Sequence, residues 1–299
     1  MATTLADLAT NSQDKLVQGF INEIITDDYL LGAMTFDDCM TPGGTSDMAY
    51  SYKRVKTPMS AAFRALEAEP AQTEVAIEKV VTNVGILADA WKMDRVEKDA
   101  AEDLYELKLE ESKNAIVRAF NAQVVSGKKG TNAFDGLGTI LKGTSTEATS
   151  AVDLTALDQA KSLDFADEVG TMLSGLMRTP DVLLVSRAMK AKMDSIARRI
   201  GIGTTTAETA GGTITTWDGI PVQPLKDGAL ETNDIYAVCL GLDAFHGITL
   251  KGGNAITVTL PDWTAPGAVK SGDCEFVCGC ALKATKAAGV LHPLPKEPA

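Results

Sequence analysis

Three cysteines within seven residues, Cys274, Cys278 and Cys280, form the densest cluster of potential metal ligands in the chain. Tetrahedral zinc sites favour paired C-x-x-C spacing, and this spacing differs. Positions 274, 276, 278, 280 and 282 read Cys, Phe, Cys, Cys and Leu, which is one face of a strand at period two. The pattern predicts small buried hydrophobes rather than ligands. The two histidines offer no more. His246 follows a predicted strand in DAFHGIT and His292 sits in the tail HPLPKEPA, neither with Cys, Asp or Glu at ligand or triad spacing, so each reads as a surface or structural residue. SGKKG at 126–130 hints at a phosphate loop, but Ala122 stands at the first glycine position and Lys129 where Ser or Thr is required; the segment also ends a helix instead of joining strand to helix. GIGTTT (201–206) has two glycines of a dinucleotide fingerprint, lacks the third and follows a helix. Carboxylates are plentiful, yet no pair stands out as buried. No cofactor, no metal and no catalytic residue is therefore expected, and the chain reads as a non-enzyme.

What the chain does contain is a spine. Glu97 to Gly127 is a run of strong helix formers without proline or internal glycine, and it predicts one long helix. Tyr105, Leu109, Ser112, Ile116, Phe120 and Val124 recur at steps of three and four, a narrow apolar stripe on a charged rod. At about 1.5 Å per residue the rod is roughly 45 Å long, several times a mean helix. It joins an extended N-terminal third to a compact C-terminal half.

With 299 residues, 45% of them hydrophobic, the chain can bury a core of one large or two modest domains. A net charge of −12 would repel a phosphate backbone, so any association with DNA is containment, not neutralisation. The opening MATTLADLAT lacks the basic start and apolar segment of a secretory signal, and no apolar run approaches the eighteen or so residues of a membrane span. Five cysteines, an odd number, argue against a secreted disulfide framework and for reduced thiols inside a cell.

In the first 35 residues one amphipathic helix, LVQGFINEIITDDYLLGAM, puts Leu16, Phe20, Ile24 and Leu31 on a face with little nearby chain to pack on. Residues 1–50 carry eight acids against Lys15 alone. Residues 51–66 reverse the sign, with Lys53, Arg54, Lys56 and Arg64 and no acid. Such adjacent, opposite segments suit contacts between different copies of the chain; the alternative is two solvated charged faces. Residues 46–84 approach alternation on both sides of Pro58 and Pro70, predicting a long two-stranded excursion with an irregular tip. After the spine, Asp153 is a candidate N-cap for a helix over 154–177, DVLLVS (181–186) a short buried strand, and Ser186 and Gly201 the caps of RAMKAKMDSIARRI. Residues 200–212, rich in Gly and Thr, predict an exposed mobile loop. TITTW and IPVQPL flank Asp218-Gly219, a hairpin signal, and IYAVCLGL, NAITVTL and DCEFVCGCAL supply three more strands. The class is α+β or mixed α/β.

The order of these parts resembles the tailed-phage major capsid proteins of the Hong Kong 97-like fold: an acidic arm with one helix, a basic hairpin, a spine, FDGL (134–137), helix–strand–helix before a loop, the W-DG-IPV hairpin (217–222), IYAV and the closing strand CEFVCGCAL. The resemblance implies an α+β capsid fold divided into an N-terminal arm (1–40), an extended E-loop laid over a neighbouring subunit (41–75), a peripheral domain with the spine (76–130), an axial domain (131–243), a peripheral hairpin (244–272) and an axial strand with the C-terminal tail (273–299). It further implies self-assembly into hexamers and pentamers of an icosahedral head that encloses double-stranded DNA, in a virion capsid assembled in the host cytoplasm. Portal and decoration proteins are implied partners, and since the chain starts at the arm, a separate scaffolding protein is expected. Candidate inter-subunit contacts are Lys53, Arg54, Lys56, Arg64, Asp27 and Asp28, with Arg198 and Arg199 beside the axial tip loop at 200–212. Some relatives crosslink a loop lysine to an asparagine; Lys53 and Lys56 lie in that loop without identifiable Asn and Glu partners, so ordinary surface lysines are expected. Two other readings stay open: an encapsulin-type compartment shell of the same fold, and a soluble α/β enzyme with the spine as a linker.

Overall fold

The computed structural model describes residues 28–39, 49–57, 59–69, 72, 74–100, 102–130, 132–201, 206–209, 212–225, 229–230, 232–250 and 256–294. Helices and strands are mixed along the chain, an α+β arrangement. In order they are α1 (Tyr29–Ala33), β1 (Phe36–Asp38), β2 (Ala49–Thr57), β3 (Ala76–Asn83), β4 (Gly85–Asp94), α2 (Arg95–Ala100), α3 (Glu102–Ser126), α4 (Leu137–Ile140), β5 (Glu147–Thr149), α5 (Gln159–Ser174), β6 (Val182–Val185), α6 (Arg187–Ile200), β7 (Thr206–Thr209), β8 (Gly212–Trp217), β9 (Ile220–Pro224), β10 (Ile235–Val238), β11 (Phe245–Thr249), β12 (Ile256–Thr259), β13 (Val269–Leu282), a 3-10 turn (Thr285–Ala287) and β14 (Ala288–His292).

Two sheets and a free-standing hairpin account for the strands. One sheet runs β1-β11-β13-β12, with β4 also on β13; the other runs β5-β14-β10-β6-β9-β8-β7; β2 and β3 pair only with each other. The spine lies on the first sheet. Ile116, Phe120 and Val124, three members of the predicted stripe, are fully buried with Phe36, Cys274, Phe276, Cys278 and Cys280. The Phe120 and Phe276 rings stand 5.2 Å apart, with Phe36 against both. As the period-two reading expects, Cys274, Phe276, Cys278, Cys280 and Leu282 are all buried, and the cysteines are unpaired hydrophobes. The second sheet is buried on both faces, which is why VLLV and IYAV are apolar throughout. Val182, Leu184, Tyr236 and Val238 face the spine core; Leu183, Val185, Ile235 and Ala237 face α5 and α6.

Local signals explain most boundaries. The Ser186 side chain accepts from Met189 N, and Gly201 takes the left-handed conformation (φ 71°) that ends α6. Asp218 (φ 50°) and Gly219 (φ 80°) make the tight turn between β8 and β9.

The structure differs from the sequence reading at several points. The spine begins at Arg95, two residues before Glu97. The helix predicted from 154 begins at Gln159, because Asp158 caps it through Lys161 N while Asp153 is spent on a local turn to Thr155. Residues 85–94, unassigned from sequence, form the longest partner of β13. The predicted loop at 200–212 contains β7, which pairs with β8 from Thr206↔Thr215 to Thr209↔Gly212. β13 belongs to the sheet on the spine and β14 to the other. Of the predicted N-terminal helix only α1 lies within the described residues, where no helix is long and apolar enough to cross a membrane.

Candidate assembly surface

The β2–β3 hairpin leaves the body at a narrow root. Alternation puts Tyr50, Tyr52 and Arg54, opposite Thr82, Val80 and Glu78, on one face, and Ser51, Lys53 and Val55, opposite Val81, Lys79 and Ile77, on the other. At the root the first face packs on Cys39, Val84, Ile248 and Ala281. Tyr52 Oη donates to the Leu282 carbonyl at 2.8 Å, and Tyr50 Oη to Asp37 Oδ2 at 2.7 Å. Burial and the Asp37 carboxylate raise the Tyr50 phenol far above its usual range, so it stays a donor.

Beyond the root the hairpin has no core. Val55, Met59 and Ile77 are more than half exposed, Leu66 is 92% exposed and Phe63 fully so at 109%. Soluble proteins leave single apolar residues in water, but five large ones exposed on one hairpin suit an interaction surface. The tip is nonetheless shaped. Ala68 N donates to the Ala65 carbonyl to close a turn, Glu67 takes a positive φ of 66°, and Arg64 Nη1 donates to the carbonyls of Ala65 and Ala68. Phe63 flanks this turn, Leu66 lies within it, and both point into solvent.

The expected contact residues divide accordingly. Arg54 donates through Nε and Nη2 to Glu78 Oε2 on the facing strand, both at 3.2 Å, so its partner lies in its own hairpin. Arg64 spends its guanidinium on the tip turn. Lys53 is different. It sits opposite Lys79, a like-charge cross-strand pair that is unfavourable unless an acid is brought to it. Asp28 is buried within its own chain: Oδ2 accepts from Leu31 N at 3.0 Å and caps α1, and Oδ1 accepts from Asn121 Nδ2 at 2.8 Å on the spine. Arg198 and Arg199 are exposed in the last turn of α6, where positive charge suits the helix dipole, and Arg199 Nη1 donates to the Leu157 carbonyl. Asp27 and the Lys56 side chain lie outside the described residues.

Phe63 and Leu66 went unnoticed in the sequence because each is an isolated apolar residue among alanines; the only signal was that the piece had nothing to pack on. His292 was read as a tail residue. It lies in β14, its Nδ1 2.8 Å from Asp234 Oδ1 and its Nε2 3.4 Å from Glu147 Oε1, partners distant in sequence. Among the described residues no group of three or more His, Cys, Asp or Glu side chains is placed to hold a metal ion. A cavity of about 370 Å³ between α5 and β5 is lined by Ser145, Thr149, Asp167, Glu168, Thr171 and Met172, and has no nucleophile with an adjacent base.

No protein-family model matches the chain, and no curated protein matches it in sequence. Solved structures do match, along most of its length. The chain is similar to one from Mycobacterium phage Bobi, with 13% identity over 89% of this chain and 90% of that one and a TM-score of 0.64. It is also similar to the capsid of Myoviridae phage XM1, with 12% identity, 86% and 90% coverage and a TM-score of 0.56. This is the Hong Kong 97-like capsid fold. A chain of the encapsulin complex from Synechococcus elongatus shares it, with 13% identity over 88% and 86% of the two chains and a TM-score of 0.63.

Proposed function

We propose that the chain is a structural shell protomer that assembles with copies of itself into the hexamers and pentamers of an icosahedral capsid, the head of a tailed phage enclosing double-stranded DNA. The observation that carries this reading is the β2–β3 hairpin: a shaped apolar tip in water on a fold shared with capsid chains. In this reading the hairpin, residues 41–75 with β3, lies over a neighbouring protomer. The spine with its sheet forms the peripheral part, and the two-sided sheet with α5 and α6 the axial part. The segment 200–212, with Arg198 and Arg199, sits near the symmetry axes. The acid-rich residues 1–50, as the arm of another copy, supply the charge that Lys53 and Lys79 lack. A net charge of −12 fits a wall against which packaged DNA must slide, because a basic wall would bind it. Scaffolding, portal and decoration proteins are the partners such a head requires.

Similarity to the encapsulin complex keeps a second reading, a compartment shell around protein cargo. Electron microscopy and sedimentation of the protein from producing cells test both. Closed shells of uniform diameter support the shell reading, and a monomer at every concentration overturns it. Nuclease-protected DNA inside the shells selects the phage head; its absence together with co-purifying protein selects the compartment.

A further inference from the structure

The root of the hairpin buries a histidine that nothing else in the protein accounts for. His246, in the middle of β11, is 0% exposed, and neither ring nitrogen finds a hydrogen-bond partner of ordinary geometry among the described residues. Its ring meets Tyr50 of β2 edge-on at 5.7 Å, directly across the joint between hairpin and body. The groups facing it are Asp37 from β1, Tyr50 from β2 with Tyr52 beside it, Asp243 and the Ala244 carbonyl just ahead of β11, and Lys283 just after β13. The carboxylate nearest to compensating a charged ring is already engaged. Asp37 accepts from Tyr50 and has Lys283 Nζ at 3.7 Å, while that same Nζ stands 5.6 Å from the Tyr50 ring centre. A neutral imidazole is tolerated here, whereas an imidazolium would be a buried cation beside a lysine. The rest of the joint is small, a cluster built on Cys39, Tyr52, Val84, Ile248 and Ala281.

We propose that His246 is a proton-operated latch: protonating its ring releases β2 from β1 and β11 and lets the hairpin pivot on its root. The proposal takes the hairpin as the assembly element argued above and adds how its angle is regulated. Burial, with a further push from Lys283, lowers the His246 pKa from 6.5 to about 4, against the smaller opposing pull of Asp37, the Ala244 carbonyl and Asp243. The direction follows. Above pH 6.5 the ring is neutral whether the joint is closed or open, and the closed form has its full advantage. As pH falls from 6.5 towards 4 only the open form takes up the proton. The closed form then loses about 30-fold by pH 5 and about 300-fold once both forms are protonated.

Labelling of the thiols of the full-length chain by 4,4′-dithiodipyridine at pH 7, 6 and 5, corrected for the intrinsic rate at each pH, tests this. Cys39, 5% exposed in the cluster under the hairpin root, reports the joint; Cys274 and Cys278, buried on β13, serve as reference. Protection of Cys39 should fall about 20-fold against the reference between pH 7 and 5. The fall should vanish in His246→Phe, which keeps a ring against Tyr50, and persist in His292→Gln, which removes the other histidine. Wild-type Cys39 protection that tracks the reference thiols overturns the latch, whatever the variants do. So does a fall that survives in His246→Phe or disappears in His292→Gln. The measurement needs no shell: a chain that never assembles defeats the shell reading and leaves this result to stand or fall alone.

Discussion

Replacing Phe63 and Leu66 together by alanine separates folding from assembly. In the isolated chain Phe63 is fully exposed and Leu66 92% exposed, so truncation removes no buried contact. Protomer stability should stay within about 0.5 kcal/mol of wild type, as for substitutions away from any packed feature. A neighbouring protomer that buries both side chains gains about 1.5–3 kcal/mol from each. Losing both costs about 3–6 kcal/mol per hairpin contact, a weakening of association by about two to four powers of ten. Because every hairpin in a shell carries the change, particles should be lost outright. Two measurements on one preparation decide it: the thermal midpoint of the unassembled protomer, and the fraction of protein sedimenting as shells. An unchanged midpoint with lost particles is the expected result. Normal shell yield, or a destabilised protomer, would refute the assignment of these residues to an interface.

Three other substitutions or probes test the joints inside the protomer. Asp28→Ala removes the cap of α1, worth about 1 kcal/mol, and strands the buried Asn121 amide for a further 1–3 kcal/mol or so; a urea midpoint indistinguishable from wild type would argue that the spine does not hold the arm's end. Gly247→Ala drives a methyl into the Phe36 ring between β1 and β11, with the ring confined by Phe120 and Phe276. It should cost about 1–3 kcal/mol by overpacking, read as a lowered thermal midpoint. The five thiols are buried, and burial pushes the Cys274 pKa up to about 12 and that of Cys278 well above the ordinary thiol value. A thiol reagent at pH 8 should label none of them in the native protein and all five in denaturant; rapid native labelling would contradict the placement of β13.

How much of this was legible in the sequence varied with how local the deciding interaction is. The caps at Ser186 and Gly201 and the turn at Asp218-Gly219 are settled within four residues, and all three were readable. The face carrying Cys274, Cys278 and Cys280 was readable because fourteen residues of alternation leave no other register. β4 was not. Its inward positions hold Leu87, Asp89, Trp91 and Met93, and its outward ones Ile86, Ala88, Ala90 and Lys92, so an inward acid and an outward isoleucine blur the period. β1 and β5, three residues each, are too short to show any period. At the start of α5 two acids compete for one cap. The choice is made at a distance, by Glu168 accepting from Ser150 Oγ and Ala151 N and holding the preceding segment in place.

The same distinction governs the two sites that matter most here. DAFHGIT says nothing about burial until β1 and the hairpin root close over His246. Phe63, set among alanines, shows no partner because among the described residues nothing covers it. The spine and its sheet are stabilised by Phe36, Phe120 and Phe276, which meet each other; the hairpin presents apolar side chains to solvent. In the assembly proposed above, dividing the large apolar side chains in this way keeps the stability of the fold apart from that of the shell, so that each can be altered without the other. The latch proposed at His246 would then act on the second while leaving the first intact.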